Sequence, residues 1–223
     1  MLEADRSDAP SMERYWADVS TAFNEATGLA LRPAAGATIW RIAKTSFGAL
    51  NPEERKTGSK PETWGRYDVR QHRTIYGASP IETAYGESLA WARMKLTLDQ
   101  PQLRELFDDV DPDDTTSLRE QVQQDWEALG HMPPGNVPAG WRFERLLHEV
   151  YLPKTGWFVD IEASQSVAAI ASGMGSSLGA LSVDHLTVGH LRGEDRGLTT
   201  AIAEWVWHQV LDDGSLPLGI QFG

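Results

Sequence analysis

Two charged residues sit where a charge could do chemistry. Arg41 interrupts the apolar run Ala37 to Ala43, ATIWRIA. A charge inside a buried strand is costly unless it is paired or faces a cleft. It reads either as an edge-strand arginine reaching solvent or as one facing a ligand. Glu87 lies in the second patterned stretch, Trp64 to Trp91. At about 100° per helical residue it falls near Ala84 and Trp91, on the shoulder between core and solvent. A carboxylate there can line a cleft wall or be an ordinary solvated glutamate. Arg66 in GRY and Tyr76 in IYGAS complete the set of informative positions.

Other chemistries find less support. GSKPETWGR lacks Gly-Lys followed by Ser or Thr at phosphate-loop spacing, and Gly173 to Gly179 lacks the dinucleotide-binding order after a strand. Asp108, Asp109, Asp111, Asp113 and Asp114 invite calcium, but the glycine and terminal glutamate of a calcium loop are missing. They read as a solvated acidic turn, with Asp113 or Thr115 capping the next helix. His148-Glu149 is half of a zinc motif without its continuation, and His185 and His190 have no third ligand nearby. With no cysteine in the chain, disulfides, thiolate metal sites and cysteine nucleophiles are excluded.

The chain has 223 residues, 41% of them apolar, including nine tryptophans, which suffices for a substantial core. Its net charge of −12 argues against a general nucleic-acid or anionic-membrane surface, while leaving room for a local basic pocket that holds a small phosphate compound. The N-terminus has neither the basic nor the apolar region of a signal peptide. No apolar run approaches the ~20 residues of a membrane-spanning helix. A soluble, cytoplasmic protein is expected.

The elements that must position these residues follow from periodicity. Met12 to Ala26 reads as an amphipathic helix, and residues 1–36 as a helical extension. Ala37 to Ala43 reads as the first core strand, Lys44 to Thr63 as a loop without core, and Arg73 to Ala78 as a strand. Ser79-Pro80-Ile81-Glu82 reads as a helix start, with Ser79 as N-cap and Glu82 closing a capping box. Ile81, Tyr85, Leu89, Ala92 and Leu96 form the apolar stripe of that helix. Residues of about 96–155 read as a helical insertion that ends in a helix over Trp141 to Tyr151. Trp157 to Ile161 and Leu218 to Phe222 read as strands. Between them, Ser164 caps a short helix, residues 173–179 are flexible, and Leu198 to Leu211 is a helix. The sum is an α+β domain over 37–223, built around a small mixed sheet with helical additions.

Four pieces in order give a resemblance. Trp40-Arg41-Ile42, Gly65-Arg66-Tyr67-Asp68, the set Tyr76, Ala78, Ser79, Ala84 and Glu87, and Arg196 to Trp205 are similar to the motifs of the RES-domain family. Tyr67 stands where the family usually has Trp. Gly219 to Gly223 follows the family's last strand up to the position before its serine. The resemblance implies an ADP-ribosyltransferase-like fold and a NAD-consuming enzyme, many such proteins being toxins of toxin–antitoxin pairs. It implies NAD as substrate, no metal, and an antitoxin protein covering the active site, with no direct nucleic-acid or membrane partner. On this resemblance Arg41 and Arg66 would hold the pyrophosphate and nearby ribose. Tyr76 would stack on the cationic nicotinamide ring. Glu87 would stabilise the oxocarbenium-like state formed as the glycosidic bond breaks. Arg41, Tyr76 and Glu87 are the catalytic candidates. The same fold without chemistry would be a nucleotide- or partner-binding module.

Overall fold

The computed structural model describes residues 21–90 and 137–223. The described part is α+β, with a four-stranded mixed sheet, a two-stranded sheet and several helices. The larger sheet runs β1 (Ala22–Phe23), β2 (Ala30–Pro33), β5 (Trp157–Asp160), β6 (Gly219–Gln221). Its first two pairings are antiparallel and β5 with β6 is parallel. Leu31, Val159 and Ile220 stand opposite one another across it. The smaller sheet pairs β3 (Thr38–Lys44) with β4 (Arg145–Tyr151) antiparallel over all seven residues.

A parallel pair needs a long crossover. Between β5 and β6 the chain supplies α3 (Ser164–Gly173), α4 (Gly175–Ala180), α5 (Val188–Arg192) and α6 (Arg196–Trp207). The earlier helices are α1 (Ile81–Ser88) and α2 (Ala139–Phe143). The core forms where one face of the larger sheet meets this crossover. Leu29, Val159 and Ile161 are fully buried against Ile170, Leu191, Leu198 and Ile202. In α6, Leu198, Ile202 and Val206 recur at fourth positions and are all buried. Asp195 caps it, its carboxylate accepting from the Leu198 amide at 3.0 Å. Buried Ser166 of α3 accepts from the Ala30 amide at 3.0 Å and ties that helix to β2.

Several expectations change. The Met12 to Ala26 helix does not reach its predicted end, because Ala22–Phe23 is a strand; residues 12–20 lie outside the described residues. Asn24 turns the chain: its side chain accepts from the Thr27 amide and hydroxyl, and Gly28 follows at φ +73. A side chain that bonds its own backbone competes with the helix. Residues 22–33 are thus two strands of the main sheet, with Leu29 and Leu31 in the core, and not part of a helical extension.

The helix expected over Trp141 to Tyr151 is only α2 followed by β4, because pairing with β3 satisfies the backbone from Arg145 onward. The helical insertion therefore does not extend through 145–151; residues 96–136, with the acidic turn, lie outside the described residues. The expected strand Arg73 to Ala78 reduces to one bridge, Ala78 with Trp40. Helix α1 starts at Ile81 rather than Ser79, with extended Pro80 in the capping position and no side-chain cap. Its packing face centres on buried Ala84, while Tyr85 is 41% exposed, so the predicted stripe is rotated; Ala92 and Leu96 lie outside the described residues. In α3, Ala163 takes the capping position and Ser164 is the first helical residue. Gly175–Ala180 is helical rather than flexible because Leu178 is buried in the core.

Ile202→Ala removes a fully buried side chain from the centre of the core. Urea denaturation should show a loss of about 2–5 kcal/mol.

Candidate functional site

Residues 65–68 give four neighbouring side chains or backbones four separate jobs. Asp68 is almost fully buried and is the hub. Its carboxylate accepts from the Gly65 amide at 2.8 Å, the Tyr76 hydroxyl at 2.9 Å and the Arg55 Nε–H. Tyr67 is buried in the core. Its hydroxyl donates to the Leu191 carbonyl at 2.8 Å and its ring lies 5.1 Å from that of Phe222. Arg66 pairs with Glu194 at 3.3 Å. Gly65 lies under Tyr76: a Cβ on it would stand 2.6 Å from the Tyr76 hydroxyl oxygen and 2.9 Å from its ring. Only glycine permits that approach.

Tyr76 connects this turn to the smaller sheet. Its hydroxyl accepts from the Tyr67 amide at 2.9 Å while donating to Asp68. Its carbonyl accepts from Arg41 Nη1 at 3.4 Å. These bonds take the place of the ladder that a strand over 73–78 would have made. Burial first, and then the Asp68 charge, push the Tyr76 hydroxyl well above its ordinary value, so it stays a neutral donor. Burial raises Tyr67 to about 12, partly offset by Arg66.

Arg41 resolves into the interior rather than solvent. It is 8% exposed, and Ala43 on the same face of β3 is also buried. Burial lowers its guanidinium from the ordinary value. Its Nε is buried without a hydrogen-bond partner. His148 stands directly opposite on β4, and its Nε2 is likewise buried and unpartnered. Directly opposed residues share a sheet face. His148, read from sequence as half of an incomplete zinc motif, is therefore a neighbour of the candidate site. Among the described residues no group of three or more His, Asp or Glu is placed to hold a metal ion.

The structure thus joins Arg41, Tyr76 and the turn bearing Arg66 through named hydrogen bonds. Glu87 is less engaged. It is exposed on α1, the helix that contacts β3, and its carboxylate forms no hydrogen bond among the described residues. Ala84, which helical spacing places near it, is buried. Sequence reasoning gave Asp68 a place in a motif but no role, and it missed Arg55. Arg55 lies in the stretch read as loop without core, yet Gln71 donates to its carbonyl at 2.8 Å and its own amide reaches the His72 carbonyl at 3.2 Å. An aspartate wedged between Tyr67 and Val69 was the available signal.

The chain matches no family model, no curated protein and no solved structure. Among the described residues no helix is long and apolar enough to cross a membrane.

Two measurements test this geometry. Asp68→Asn presents an amide donor to three existing donors. It should cost about 3 kcal/mol by urea denaturation, the low end for breaking a buried pair, because Arg55 keeps partial contact with water. Tyr67 deprotonates more easily unfolded, at about 10, than folded, at about 12. Its contribution is complete below pH 10 and is lost as pH rises toward 12, amounting to roughly 2–3 kcal/mol. Tyr67→Phe should flatten that part of the alkaline limb of stability against pH.

Proposed function

We propose that this chain is a RES-like, NAD-consuming enzyme with an ADP-ribosyltransferase-like fold, acting in the cytoplasm as the toxin of a toxin–antitoxin pair. The observation that carries the reading is the state of the two motif arginines. Arg41 and Arg66 each keep a buried Nε–H without an acceptor, and Tyr76 links the Arg41 side chain to the turn that carries Arg66. A buried donor without a partner is costly, and an anionic ligand oxygen would satisfy it. The net charge of −12 makes such a local donor set stand apart from the rest of the protein.

In this reading the two guanidinium groups hold the pyrophosphate and adjoining ribose of NAD. One face of the Tyr76 ring covers Gly65, leaving the other to meet the nicotinamide. The bond between nicotinamide nitrogen and ribose carbon breaks, nicotinamide leaves with the electron pair, and positive charge builds on the sugar. Glu87 stabilises that charge. Water, phosphate or a protein side chain then bonds to the same carbon and releases its proton. No metal takes part. An antitoxin would act by covering the cleft.

A second reading is the same fold as a nucleotide- or partner-binding module without chemistry. The exposure of Glu87, with no described neighbour to fix its carboxylate, favours it. Incubation with NAD and quantification of free nicotinamide separates the two. Under the enzymatic reading Arg41→Ala abolishes release, and Glu87→Gln lowers it about 10²-fold with little change in stability or NAD affinity. No release, together with a NAD-dependent rise in melting temperature, would leave the binding module.

A further inference from the structure

Glu194 lies between α5 and α6 and holds two arginines that come from distant parts of the chain. One oxygen meets Arg66 Nη2 at 3.3 Å and the other meets Arg196 Nη2 at 2.6 Å. The exposures are unequal: the glutamate side chain is 79% exposed, those of Arg66 and Arg196 only 24% and 21%. Both arginines also keep a buried, unpartnered nitrogen, Nε in Arg66 and Nη1 in Arg196. One carboxylate therefore leaves this pair of forks incompletely satisfied. The nearby carboxylate of Glu162 is already engaged. It accepts from Arg192 at 2.7 and 2.6 Å and from the Gly223 amide at 3.3 Å. Arg66 lies close enough to help hold the Glu162 carboxyl below its ordinary value, behind the larger effect of Arg192.

We propose that Arg66 and Arg196 form a diphosphate-binding fork and that Glu194 keeps the ligand's place until it arrives. The fork would take a diphosphate either as free pyrophosphate or as the linkage within a nucleotide. Two guanidinium groups turned to one acceptor match the several oxygens of a diphosphate. Glu194 is a weak competitor, because exposed ion pairs contribute little. Its negative charge also repels an arriving anion, so its removal should help binding more than the loss of orientation harms it. Arg196 thereby acquires a ligand-binding role, and Glu194 becomes a gate on affinity. This deepens the reading in which Arg66 meets a pyrophosphate, but its test does not depend on turnover.

Calorimetric titration of the full chain with inorganic pyrophosphate, ADP-ribose and nicotinamide riboside provides that test. Pyrophosphate and ADP-ribose should bind, and nicotinamide riboside, which has no phosphate, should not bind at this fork. Tighter binding of ADP-ribose than of pyrophosphate assigns the source to a nucleotide, and the reverse order assigns it to the free anion. Arg196→Ala should weaken both by roughly tenfold or more. Arg196→Gln, which keeps the stem packing, should weaken them similarly. Glu194→Ala, at an exposed position, should tighten both by roughly two- to fivefold. Unchanged affinity in both Arg196 variants would overturn the fork. Weaker or unchanged binding in Glu194→Ala would overturn the place-keeping role. No pyrophosphate or ADP-ribose binding to wild type would overturn the whole proposal. Binding that follows the expected pattern without nicotinamide release from NAD would preserve this site and remove only the enzymatic reading.

Discussion

The structure around the candidate site depends on one buried carboxylate. Asp68 has almost no contact with water and collects three donors, from a loop arginine, a turn amide and a tyrosine hydroxyl. Burying a carboxylate is tolerable only when such donors replace its hydration. Each donor therefore becomes a constraint. Arg55 anchors the long loop, Gly65 fixes the turn, and Tyr76 is held with its ring on the Gly65 backbone. With the hydroxyl of Tyr76 fixed, its carbonyl is available to Arg41 on the neighbouring strand. A single ionised group thus couples the turn to the smaller sheet.

The two sheets divide the work. The larger one supplies the hydrophobic face against which α3 to α6 pack, and it reaches the turn through Tyr67, which is buried among Leu191, Ile220 and Phe222. The smaller one carries charge in its interior, with Arg41 opposite His148. A two-stranded sheet with a buried guanidinium is a poor unit by itself. Its support comes from α1, which contacts β3, and from Ala78, whose backbone exchanges hydrogen bonds with that of Trp40 at 2.7 and 2.8 Å.

Charge is distributed unevenly over this acidic chain. Arg66, Arg192 and Arg196 stand near one another with Glu162 and Glu194 among them. The two carboxylates differ in kind. Glu162 is held through both oxygens and is only 15% exposed, whereas Glu194 is almost free in solvent. Solvent screening makes the second pairing the easier one to exchange for another anion.

Local chemistry in the sequence was enough for some of this. The apolar run ATIWRIA marked β3 and singled out Arg41, because an arginine within such a run needs a reason. The fourth-position repeat of Leu198, Ile202 and Val206 marked α6, and WFVDI and LGIQF marked β5 and β6. These are cases where periodicity and burial agree. RLLHEVY has a helix-like pattern by itself, and only its pairing with β3 made it a strand. Tyr76 carried strand propensity, but the carboxylate of Asp68 and the amide of Tyr67 captured its hydroxyl, and a side chain of β3 captured its carbonyl. The distinction is one of range. Sequence determined which residues could be buried and at what period; tertiary structure decided which partners they met, because hydrogen bonds between Arg55 and Asp68, or Arg66 and Glu194, join residues whose separation leaves no local pattern.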